Sequence, residues 1–203
     1  KSDYNTIEFA LNRRFRNGWM VLTSFEHTWL SEFVGTASTT SVLGAAGNTK
    51  AYSWNDNLRQ ADRETTTIWN YKLIGRYTMP WEIGVSGSYK LQSGRQWGRA
   101  ISLAGTPPLT LGNQTVRVEP VTANRAPNVH IVDFRFDKSV RLPRQFGRFT
   151  AMVDVFNLFN LGTPIVFRTL TGNRSGTNPH GNFQEVLALL DPRIVRFGIR
   201  YEF

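Results

Sequence analysis

Arg193-Ile194-Val195-Arg196-Phe197-Gly198-Ile199-Arg200-Tyr201-Glu202-Phe203 is the stretch that decides the fold. Val195, Phe197, Ile199, Tyr201 and Phe203 fall on one face of an extended chain. Ile194, Arg196, Gly198, Arg200 and Glu202 fall on the other. Successive side chains of a strand point to opposite sides, so this alternation marks a strand with one apolar and one wet face. The run is eleven residues long, against the roughly 9–11 that a tilted strand needs to cross a bilayer.

The same period recurs towards the N-terminus. Glu82–Gln92 sets Ile83, Val85, Gly87, Tyr89 and Leu91 against Glu82, Gly84, Ser86, Ser88, Lys90 and Gln92. Thr67–Met79 sets Trp69, Tyr71, Leu73, Gly75 and Tyr77 against Asn70, Lys72, Ile74 and Arg76. In Val129–Leu142, Val132, Phe134 and Phe136 oppose Asp133, Arg135 and Asp137. Near the start, Ile7, Phe9 and Leu11 alternate with Glu8, Ala10 and Asn12. Trp19–Trp29 is less regular, because Met20 and Leu22 fall on the polar side, and Phe149–Asn160 alternates only as far as Val155. Seven strands are expected in all.

Charge sorts with the pattern. Glu8, Lys72, Arg76, Lys90, Asp133, Arg135, Asp154, Arg196 and Arg200 all lie mid-strand, opposite the aromatic face. A basic residue in the middle of a lipid-facing surface costs about 2–4 kcal/mol, so these side chains are expected to face a wet lumen. Arg13 and Lys138 break the rule near strand ends, where long basic side chains snorkel. Trp19, Tyr77, Trp81, Phe149, Tyr201 and Phe203 are expected at one membrane interface, and Trp29 and Trp69, with Trp97, at the other.

Connection length alternates too. Tight turns at Arg16-Asn17-Gly18, Met79-Pro80-Trp81 and Pro143–Arg148 exchange with three connections of roughly thirty residues, Leu30–Glu64, Ser93–Asn128 and Leu161–Pro192. Compact soluble domains rarely carry loops beyond about 12–15 residues. Outer-membrane barrels pair short periplasmic turns with long extracellular loops. The expected fold is therefore all-β: residues 1–203 form one stretch of an antiparallel, up-and-down transmembrane barrel. With a periplasmic C-terminus, the first strand runs inward from outside, and seven is odd and below the eight of the smallest barrels. The chain is thus expected to be the C-terminal part of a larger barrel in the bacterial outer membrane.

Composition agrees. Six Trp, six Tyr and fourteen Phe coexist with a mean hydropathy of −0.32, and no apolar run approaches the ~20 residues of a transmembrane helix. Cysteine is absent, which removes disulfides, thiolate metal sites and thiol catalysis. The net charge of +9 raises nucleic acid as a partner, but the arginines are scattered and no nucleic-acid motif frames them. No enzyme is expected. His27, His130 and His180 lack metal-ligand spacing, and Asp133 and Asp154 sit beside Arg135 and Lys138 as a charge ladder more than an acid/base pair. Asn55-Asp56-Asn57 is the one weak Ca²⁺ candidate, and its default is a solvated loop. No cofactor is expected. The final strand, ending on Phe203, is expected to present an edge that the barrel-assembly machinery pairs by strand addition.

Val153-Asp154-Val155-Phe156-Asn157-Leu158-Phe159-Asn160 resembles a late strand of TonB-dependent receptors, and Asp191-Pro192-Arg193 leading into Arg196–Phe203 resembles their closing strand. Tyr77-Thr78-Met79-Pro80-Trp81-Glu82-Ile83, Gln92-Ser93-Gly94 followed by Arg99, Asn124-Arg125-Ala126-Pro127 and Asp133–Lys138 are similar to runs of the Oar-like subgroup. The resemblance implies a barrel of about 22 strands around an N-terminal plug, energised by the TonB complex through that missing region. It also implies contact with the outer-membrane bilayer and lipopolysaccharide, and an unidentified transported ligand. Two other readings stand beside it: a small non-transporting barrel, such as an adhesin or structural protein, and a soluble β-sandwich binding module.

Overall fold

The structure is a computed structural model that describes residues 3–33, 49–50, 63–103, 114–117, 119–143, 146–173 and 183–203. Seven long strands carry it: β1 (Asp3–Arg16), β2 (Trp19–Phe33), β3 (Arg63–Met79), β4 (Ile83–Gln92), β5 (Val129–Arg141), β6 (Arg148–Phe156) and β7 (Ile194–Glu202). They form one antiparallel sheet in which every strand lies beside its predecessor. The sheet is open, with β1 and β7 at its edges. Among the described residues no helix is long and apolar enough to cross a membrane, which says nothing of crossing by strands.

Turn chemistry sets the meander. Asn17 and Gly18 have φ of 55° and 83° between the paired residues Arg16 and Trp19. Two positive φ values make the type I′ turn whose twist matches a hairpin, and Asn-Gly is its preferred pair. β3 and β4 are joined by a single 3₁₀ turn at Pro80–Glu82, where Trp81 and Glu82 also take positive φ.

Register runs true across the sheet. Thr23, Leu73, Tyr89 and Val132 lie in one row across β2 to β5, and Val85, Phe136, Val153 and Phe197 in another across β4 to β7. Opposed residues point the same way, so all seven strands share one aromatic face and one polar face. The irregularity expected in β2 is real. Met20 and Leu22 do lie on the polar face, opposite Arg76 and Ile74.

Two differences from the sequence reading stand out. β6 ends at Phe156, not Asn160. Asn157 and Asn160 adopt left-handed φ of 49° and 53° and turn the chain out of the sheet. The long connections also contain strands. Gln96–Trp97 pairs with Asn124–Arg125, and Pro164–Phe167 with Val186–Leu189. A four-stranded sheet takes Leu170–Asn173, Ala100–Leu103, Gln114–Arg117 and Thr49–Lys50 in that order, from all three connections.

Candidate functional site

The polar face carries the densest chemistry, and it is built from β3 to β7. Asp154 on β6 is the centre. It stands opposite Arg135 on one side and Arg196 on the other. Arg135 donates through Nε to Oδ1 and through Nη2 to Oδ2 at 3.0 Å. Arg196 donates Nε and Nη2 to Oδ2 at 3.0 and 2.7 Å. The carboxylate side chain is 5% exposed, whereas Arg135 and Arg196 are 41% and 60% exposed. A buried carboxylate is thus satisfied by two guanidiniums that keep contact with solvent, which limits the desolvation cost of the triad.

A second carboxylate is equally engaged. Asp133 accepts from Ser88 Oγ at 3.1 Å and from the backbone N–H of Asn157 at 3.0 Å. Asn157 continues the chain of contacts. Its Nδ2 donates to the carbonyls of Leu161 at 3.1 Å and Asp191 at 2.8 Å, and its Oδ1 accepts from the Leu161 N–H at 3.1 Å. The Asn160 side chain accepts from the N–H of Arg193 at 2.9 Å. The Asn-Leu-Phe-Asn turn therefore fastens the last long connection to the threshold of β7.

The third group spans a strand. Arg76 on β3 reaches across β4 to Asp137 on β5 in a two-pronged bond, 2.8 Å for each prong, and also donates to Ser86 Oγ at 3.0 Å. It passes directly over Gly84. A Cβ there would lie 2.3 Å from Asp137 Oδ2 and 2.4 Å from Arg76 Nη2. Between the groups lies a depression of about 270 Å³, touching Ile74, Ser88, Asp133, Arg135, Asp154 and Arg196.

The expected polar-face residues therefore divide. Arg76, Asp133, Arg135, Asp154 and Arg196 join these clusters, and Arg200 pairs with Glu202 at 3.0 Å on the edge strand. Lys72 and Lys90 face each other directly and are exposed, and Glu8 and Glu26 are likewise opposed. Opposed like charges are unfavourable unless water screens them. The alternation placed Asp137, Ser88 and Gly84 on the polar face, and Asn157 stood in the resembling run, but none of the four was assigned a site role. Asp137 was within reach of the alternation, but the path over Gly84 depends on register.

Aromatic residues occupy the other face along its length, from Phe9, Phe25 and Tyr71 in mid-strand to the residues expected at the interfaces. Trp19 stands opposite Tyr77, Phe149 opposite Tyr201, and Trp81 projects from its turn at 79% exposure. At the far end Trp69 opposes His27, whose ring lies 4.0 Å from that of Trp29. Trp97 packs with Phe167 and Phe183 in the connections. Each of the two exceptional cations meets a neighbour near its strand end. Lys138 donates to the Trp81 carbonyl, and the Arg13 guanidinium lies 3.7 Å over the Trp19 ring. On β7, Val195, Phe197, Ile199, Tyr201 and Phe203 form an exposed apolar row, with the Tyr201 hydroxyl donating to the Phe146 carbonyl.

His27 and His130 are separate, and the His130 Nδ1 shares a 3.0 Å hydrogen bond with the Tyr89 hydroxyl. Among the described residues no group of three His, Asp or Glu is placed to hold a metal. His180 and Asn55–Asn57 lie outside the described residues. No family model, curated protein or solved structure matches the chain.

Proposed function

We propose that this chain is wall, not catalyst: the C-terminal portion of an outer-membrane β-barrel of the TonB-dependent, Oar-like type. In that role it takes part in energised passage of a substrate across the outer membrane. One observation carries the reading. Across seven strands in unbroken order, register gathers apolar and aromatic side chains on one face and the ion pairs of β3 to β7 on the other. On the apolar face Ile7, Phe9, Leu11, Phe197 and Ile199 are between 48% and 78% exposed. An apolar surface of that extent costs little against lipid and much against water. The polar face, with Asp133, Asp137 and Asp154 engaged by arginine, serine and backbone donors, suits a water-filled interior that conducts or contacts a solute without reacting with it.

The partners follow: the bilayer and lipopolysaccharide outside the wall, the assembly machinery at β7, and the TonB complex acting through a plug. The chain has no cysteine, so single cysteines report without background. Fluorophores that sense polarity, attached at Leu73, Tyr89 and Val132, are expected to shift to the blue in vesicles. The same label at the adjacent Lys72, Lys90 and Ile131 is expected to stay in water. Equal spectra from both sets would refute the membrane reading.

A further inference from the structure

The aromatic face is not uniformly filled. Gly75 on β3 and Gly87 on β4 stand directly opposite each other. Above them the surface sinks into a depression of about 670 Å³, walled by Trp19, Tyr77, Tyr89 and Phe134 among other apolar side chains. Nothing crowds the floor. A Cβ at Gly75 would come no nearer than 3.9 Å to another atom, and one at Gly87 no nearer than 3.5 Å. From Tyr77 to Leu73 the hollow runs roughly 13 Å along the strand, at about 3.3 Å per residue. It crosses from β2 to β5, about as wide as it is long, and is almost wholly apolar.

A cation stands at its rim. Arg13 pairs in register with Val21, which lines the hollow, and its guanidinium carbon lies over the Trp19 ring, 3.7 Å from the centroid. No carboxylate answers it among the described residues, and its buried Nε has no hydrogen-bond partner. The Trp19 ring restrains the guanidinium by cation–π contact, while the outer nitrogens are left to another acceptor. Arg13 is also near the tight-turn end of β1, in the row of Val21 and Gly75 with its guanidinium reaching Trp19, towards the level where headgroups lie if the wall spans a membrane.

We infer that this hollow is a binding site for one anionic phospholipid of the membrane leaflet at the turn end. The headgroup phosphate meets Arg13, and one acyl chain lies along the Gly75–Gly87 floor between Trp19 and Phe134. The inference rests on the membrane reading above, but it goes further: a wall that only met bulk lipid needs neither a glycine-floored hollow nor an unanswered arginine beside it. Guanidinium and phosphate form strong, charge-assisted bonds, and apolar contact along the chain supplies the rest of the affinity.

The test uses the whole protein in vesicles with bromine-labelled lipids, which quench tryptophan on contact. The Trp19-dependent part of the signal is isolated by subtracting a Trp19→Phe variant. Brominated phosphatidylglycerol is expected to occupy the site at least tenfold in preference to brominated phosphatidylcholine. Arg13→Gln is expected to bring that ratio to about one, and so is Gly87→Leu, which fills the hollow. Gly75→Ala, whose added carbon meets only the Met20 carbonyl at an ordinary 3.9 Å, serves if Gly87→Leu fails to fold, and is expected to lower the ratio severalfold. A wild-type ratio within twofold of one, or a ratio unchanged in Arg13→Gln, overturns the lipid site while quenching of the other tryptophans keeps the membrane reading. No quenching of any tryptophan by either lipid overturns both.

Discussion

Gly84→Ala is expected to destabilise the protein by an amount set entirely by the Arg76–Asp137 pair above it. The two prongs are each 2.8 Å long, and the side chains of Arg76 and Asp137 are 36% and 11% exposed. Hydrogen bonds to charged groups contribute roughly 1.5–3 kcal/mol each when shielded. Solvent at the arginine offsets much of that, leaving about 2 kcal/mol for the pair. A methyl at position 84 would sit 2.3 Å from the carboxylate and 2.4 Å from the guanidinium, so it evicts the bridge. Against this, alanine in a strand gains about 0.5–1 kcal/mol over glycine. The net loss is about 1–1.5 kcal/mol. In an Asp137→Ala background the carboxylate is gone and the untethered end of Arg76 is free to swing aside, so the same Gly84→Ala change is expected to stabilise by about 0.5 kcal/mol. The sign reverses, with a coupling energy of about 2 kcal/mol. Urea unfolding of the four proteins of this cycle in vesicles, followed by tryptophan fluorescence, reads it directly. If Gly84→Ala still costs 1 kcal/mol or more once Asp137 is absent, the backbone is the obstacle and the reasoning fails.

Three further outcomes are expected. Asp154→Asn should cost about 2 kcal/mol and Arg196→Gln under about 1, because the first change removes the buried centre while the second leaves Asp154 with Arg135; equal losses in urea titrations would contradict the geometry. Val132→Arg should cost about 2–4 kcal/mol in vesicles while Ile131→Arg, one residue away on the polar face, costs less than about 1; comparable penalties would remove the distinction between faces. Deleting Phe203 should slow membrane assembly severalfold, measured by protease protection after addition to the assembly machinery, yet leave the urea midpoint nearly unchanged because its side chain is fully exposed; a large midpoint shift would make it a structural residue instead.

The seven-stranded sheet was legible in the sequence because period-two alternation encodes it directly. The strands expected at Glu82–Gln92, Thr67–Met79 and Val129–Leu142 appear as Ile83–Gln92, Arg63–Met79 and Val129–Arg141. The partition of charge followed from the same signal, since a residue's parity along a strand decides its face. Cross-strand partners were not legible. Arg135 opposes Asp154 and Arg76 reaches Asp137 only because of a register fixed by turns, which composition does not reveal. β6 was drawn too long, because Leu158 and Phe159 look strand-like and the left-handed turns at Asn157 and Asn160 depend on side-chain bonds to distant backbone. The short strands in the connections went unseen. Runs of two to four residues carry no measurable period, and they pair across great distances in sequence.

That last sheet has a consequence for the order in which the molecule comes together. Each long strand pairs with the one just made, so the meander grows by closures across about forty residues or fewer, like a zip. Leu170 and Ala100 meet across about seventy residues, and Lys50 and Arg117 across nearly as many. Closing such spans from a loose chain is entropically dear and slow, but once the zip is done the strand ends already hold the connections side by side. The lacing at the rim is therefore a knot tied last, on a frame that had to stand first.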